Sequence, residues 1–71
     1  MTTFNFSTEI VNSVKNNWIT NKFKDRFASC SNDTQWCLTF VSLAYKGDVE
    51  LGLAKQITDV MIAELNYNRN S

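Results

Sequence analysis

Apolar positions along the chain change their spacing from one stretch to the next. The densest stretch runs from Trp36 to Tyr45, where eight of ten residues are apolar and none is charged. On a helical wheel only Thr39 and Ser42 interrupt its apolar surface, a pattern that calls for burial on most sides. Trp, Thr, Phe, Val and Tyr also suit a buried strand. The length of the run, and Asn32 followed three residues later by Gln35 just ahead of it, favour a helix from about Asp33 to Tyr45. So short a chain has few partners with which to cover such a segment. It is either the centre of the fold or part of a surface that another chain covers.

The N-terminal part reads differently. Thr3-Phe4-Asn5-Phe6 alternates polar and apolar over too few residues to define a strand, and residues 1–6 are expected to form an arm. Ser7 is the predicted N-cap of a helix beginning at Thr8. Glu9 complements its positive end, and Phe6 is placed to meet Val11 in a hydrophobic staple. Within this helical pattern Ile10, Val14 and Trp18 form one i, i+4 row with Val11 alongside. Ile19, Phe23 and Phe27 form a second row offset by one residue. At about 100° per residue, a straight helix cannot point both rows at one flat partner. The helix therefore either wraps across the core or breaks between residues 16 and 21, where Asn16, Asn17, Thr20 and Asn21 are weak helix formers.

The small and polar run Ser29 to Asp33 predicts a loop. Lys46-Gly47-Asp48 predicts a tight joint, with Gly47 in a left-handed position and Asp48 capping the next helix. That helix is expected to reach about Asn66, with Leu53, Ala54, Ile57, Val60, Met61 and Leu65 on one face. Gly52 makes its first turn irregular, and Tyr67 to Ser71 is a polar tail. The whole pattern predicts one all-α domain, residues 1–71, a small bundle of three principal helices with the first open to breakage.

Composition supports this reading. The 71 residues are 44% hydrophobic and 20% charged, far from the signature of disorder. A chain of this size buries roughly 60% of its unfolded surface, so its stability margin is small. There is no Pro and only two Gly, against the frequent turn punctuation of many-stranded sandwiches and barrels. Formal net charge is zero, with a small excess of cations before residue 31 and of anions after it. The chain as a whole carries no strong field for nucleic acid or anionic lipid. Nothing approaches the ~18 consecutive apolar residues of a membrane span, and no basic leader segment is evident, so a soluble, cytoplasmic protein is expected. Cys30 and Cys37 are too few for a disulfide scaffold and match no zinc spacing, which predicts buried free thiols.

Candidate chemistry is sparse. The chain has no His, the commonest general base and metal ligand. Gly47 and Gly52 lack the Lys-Ser or Lys-Thr of a phosphate loop. Asp48, Glu50, Asp59 and Glu64 read as solvated helix-face charges, with Glu64 reaching water from beside the apolar stripe. The sequence therefore predicts no catalytic residue, no metal and no cofactor. Nine aromatics are many for one small core, and aromatic anchors dominate interfaces. The expected function is non-covalent association, as a stoichiometric inhibitor or adaptor of a larger assembly, for example of phage or mobile-element type. The expected partner is a protein or a second copy, bound through Leu38, Val41 and Tyr45 on the second principal helix together with Trp18. The alternative is a nucleic-acid-binding module, in which Lys15, Lys22 and Arg26 line one stripe if the first helix is continuous.

Overall fold

A computed structural model describes residues 4–48 and 51–70, with the backbone alone at 48 and 68–70. The described residues form helices α1 (Thr8–Lys15), α2 (Trp18–Lys22), α3 (Lys24–Ala28), α4 (Asp33–Leu43) and α5 (Leu51–Asn70), with no strand among them. The all-α bundle is as the pattern predicts, and three of its helices exceed two turns. Ser7 opens α1 as expected: its Oγ accepts from the Ile10 N–H at 3.2 Å, leaving one fewer unsatisfied donor at the helix end.

The first helical pattern breaks rather than wraps. After Lys15 the Asn17 backbone turns extended (φ −72°, ψ 145°), and its Oδ1 accepts from the Ile19 N–H at 3.1 Å, so Asn17 caps a new helix. The side-chain oxygen does for α2 what a preceding turn does inside a continuous helix. Across the break, the buried Thr20 hydroxyl donates to the Val14 carbonyl, tying α2 to the end of α1. A second break follows at Phe23 (φ −111°, ψ 39°). Its N–H donates to the Ile19 carbonyl at 2.9 Å while its own carbonyl accepts from Arg26 at 2.9 Å. One residue thus ends α2 and starts α3 without a side-chain cap. The two breaks resolve the phase offset in the sequence: Val11 and Val14 from the first row and Ile19 and Phe27 from the second all reach the core.

The loop from Ser29 leads into α4, which Asn32 caps by accepting the Gln35 N–H at 3.0 Å. Gln35 differs from expectation by one residue. Its Oε1 accepts from the Ser31 N–H at 2.7 Å and the Ser31 hydroxyl at 3.1 Å, rather than from Asn32. The donor satisfied is still a backbone N–H just before the helix, so the signature keeps its function.

Beyond Leu43 the chain widens into a π-type turn over Ala44–Asp48, and Gly47 takes φ 152°, the one positive φ among the described residues. Side chains rarely adopt that backbone, which is why the joint needs glycine. The expected Asp48 cap involves positions 48–50 and lies outside the described residues. The last helix continues to Asn70, beyond the expected end at Asn66, so the backbone at 67–70 is helical.

The α4 helix is the centre of the fold. It and the following turn place Cys37, Phe40, Leu43 and Ala44 in a core completed by Val11, Val14, Ile19, Phe27, Ala54 and Ile57. Phe27 and Trp36 rings pack with centroids 5.1 Å apart. Each large side chain fully buried this way contributes roughly 1.5–3 kcal/mol.

Candidate protein-interaction surface

The core closes without every bulky group on α4 and the turn that follows it. Leu38 and Tyr45 remain 38% and 57% exposed, while Val41 is half-buried against the core. Leu38 and Val41 are three residues apart on one side of α4, beside the exposed Ser42, and Tyr45 stands in the turn that follows. Trp18 is 52% exposed. It opens α2, where the capped break turns Ile19 and Thr20 inward. Of the four residues expected at the interface, three are therefore open to solvent and Val41 is partly so.

Trp18 is brought to the C-terminal end of α4. Together with Ile19, Lys22 and Phe23 it forms one wall of an open groove of about 230 Å³, and Leu43, Lys46 and Gly47 form the other. The Lys22 ammonium sits 5.6 Å from the Trp18 ring centroid and 5.5 Å from that of Phe23. Cation–π attraction of this kind is worth about 0.5–1 kcal/mol at an exposed site, and it holds the cation over the aromatic wall.

The three cations expected on one stripe stand on three helices. The condition that would align them, a continuous first helix, is not met. Lys15 pairs with Asp33 at 3.1 Å and lies 5.5 Å from the Trp36 ring, so it ties the end of α1 to the start of α4. Both partners are substantially exposed, and the pair contributes about 0–1 kcal/mol. Lys22 lies on the groove, and Arg26 is exposed on α3.

Sequence reasoning missed the exposure of several large apolar side chains along α5. Leu51 is exposed at the start of α5, and Ile62, Leu65 and Tyr67 are exposed toward its end, although Leu65 shares the wheel position of the core row. The signal available was helix length: at 1.5 Å per residue, 20 residues reach about 30 Å, more than either shorter dimension of the 39 × 24 × 21 Å molecule. The last fully buried side chain on α5 is Ile57, and past Met61 the helix has outrun the core.

Both cysteines are free. Burial is the main cause that pushes the Cys37 thiol from 9.0 up to about 11. The nearby Asp33 carboxylate adds to the shift, and Lys15 opposes it. A thiol held protonated is a poor nucleophile. Cys30 is half-buried, with its sulfur 3.5 Å from the Thr39 hydroxyl. Among the described residues no group of three or more Cys, Asp or Glu is placed to hold a metal ion, and no helix is long and apolar enough to cross a membrane. The class defined by this architecture is a small all-α bundle. Compared with known protein families, with curated proteins and with solved structures, the chain matches none of them.

Proposed function

We propose that this protein is a non-catalytic protein-interaction module, acting as a stoichiometric inhibitor or adaptor of a larger assembly. The observation that supports this reading is the exposure of Leu38, Tyr45 and Trp18 around a core already complete without them. Large aromatic and aliphatic groups left in water raise the free energy of the solitary chain, and a partner surface that covers them recovers it. Rigid aromatic side chains also lose little conformational entropy on binding, which suits them to anchoring.

Light scattering coupled to size exclusion, together with binding of an apolar-patch dye, tests the reading. The wild type is expected to associate beyond its 8.1 kDa mass or to bind the dye. Leu38→Ser with Tyr45→Ser is expected to suppress that behaviour while leaving the helical circular dichroism unchanged. A wild-type monomer that binds no dye overturns the reading.

A further inference from the structure

We propose that the groove between α2 and the end of α4 receives one large apolar side chain from an acidic segment of a partner protein, with carboxylates beside that anchor meeting Lys22 and Lys46. The inference rests on the interaction reading above and names the chemistry of the partner.

Size comes first. At about 230 Å³ the groove lies below the roughly 300–1,000 Å³ of sites that enclose small-molecule ligands or cofactors. An open site of that volume suits a single anchoring side chain, the form that interface hot spots commonly take. Its apolar lining comes from Ile19, Leu43, Trp18 and Phe23, alongside Lys22 and Lys46.

Charge then selects the partner. Among the described residues, the two ionisable side chains that line the groove are both lysines. Neither Lys22 nor Lys46 has an ion pair among the described residues, in contrast to Lys15 and Lys55. Lys22 is also held over two aromatic rings, so its charge sits at the groove edge instead of sweeping through solvent. Two like charges beside an apolar slot complement an apolar residue flanked by acids and disfavour a basic segment.

Single-stranded nucleic acid shares part of this chemistry, since bases stack on aromatic rings and phosphates meet lysines. It is the weaker fit. A strand needs a track of cations along its backbone, whereas the chain has zero net charge, and Lys15 and Lys55 stand away on α1 and α5, each paired with an aspartate.

The test uses the full chain and fluorescence anisotropy of a labelled short peptide with one central tryptophan between runs of glutamate. Its glutamine counterpart and an oligothymidylate are measured alongside. The glutamate peptide is expected to bind at least about tenfold more tightly than the glutamine peptide, and to weaken as salt rises. Lys22→Glu, Lys46→Glu and Trp18→Ala are each expected to lower its affinity about tenfold or more with unchanged circular dichroism. Lys55→Glu, on α5 outside the groove, is expected to leave it unchanged.

Absence of binding, equal binding of the two peptides, tighter binding of the oligothymidylate, or equal loss in Lys55→Glu each overturns the proposal. Dye binding or association that depends on Leu38 and Tyr45 reports separately on the broader reading. A failure of the groove alone is therefore distinguishable from a failure of both.

Discussion

Helices α4 and α5 differ in how far the pattern of each matches its burial. The α4 helix is apolar on nearly every side, and Cys37, Phe40 and Leu43 are buried as that pattern calls for, with Leu38 exposed on the helix and Tyr45 in the turn beyond it. The α5 helix has the more conventional amphipathic pattern, yet Leu65 on its apolar face remains in solvent, as do Ile62 and Tyr67 toward the same end. Position decides the outcome. A helix at the centre is covered by neighbours on several sides, whereas one longer than the core keeps its apolar stripe past the point where there is anything to pack against.

The contrast is broken most severely by Phe40→Ala. It removes a fully buried ring from α4 and is expected to cost about 3–5 kcal/mol, whereas Leu65→Ala on α5 is expected to change stability by less than about 1 kcal/mol. Urea denaturation measures both. Equal losses would mean that α5 is as tightly enclosed near its end as α4 is in its middle.

Alkaline titration sharpens the same contrast through Cys37. Below pH 9.0 the thiol is protonated folded and unfolded, so it adds no pH dependence. Between 9.0 and about 11 the unfolded chain releases the proton that the fold retains. Stability therefore falls through that window, by about 2–3 kcal/mol in total from this group. Denaturant midpoints across pH are expected to fall more steeply for the wild type than for Cys37→Ala, whose baseline is lower but lacks this titration.

Two further effects come from Gly47 in the joint and Gly52 just after it. Gly47→Ala is expected to destabilise by about 1–3 kcal/mol because φ 152° disfavours a side chain even though no atom crowds the site. Gly52→Ala, in helix with equally open space, is expected to stabilise by about 0.4–1 kcal/mol through the unfolded chain. Thermal melts of the two variants should therefore move in opposite directions.

Local rules carried much of this fold. Ser7, Asn32 and Gly47 act where their chemistry places them, because a cap or a positive-φ turn depends on a few neighbouring atoms. The phase offset between Val14 and Ile19 announced a discontinuity, and the break that resolves it carries the Asn17 cap and the hydrogen bond from Thr20 to the Val14 carbonyl. That hydrogen bond exists only once α2 has folded back. The Lys15, Lys22 and Arg26 stripe was a property of an unbroken helix and dissolved with it. The exposure of Leu38 and Tyr45 was legible from the excess of apolar side chains on α4. The groove was not legible, since Lys22 and Lys46 are far apart in sequence and meet only through tertiary packing. Leu65 was misplaced because a wheel gives direction and says nothing about where the neighbouring helices end.

The inward turn of Ile19 and Thr20 has an optical consequence. It leaves the Trp18 indole facing water at the mouth of the groove, while Trp36 stacks beside Phe27 in a drier setting. The two emitters therefore report on different events: a quencher dissolved in the buffer reaches Trp18 first, and a blue shift confined to it signals that something has settled over α2. The chain carries its own dye for occupancy and a second one for integrity.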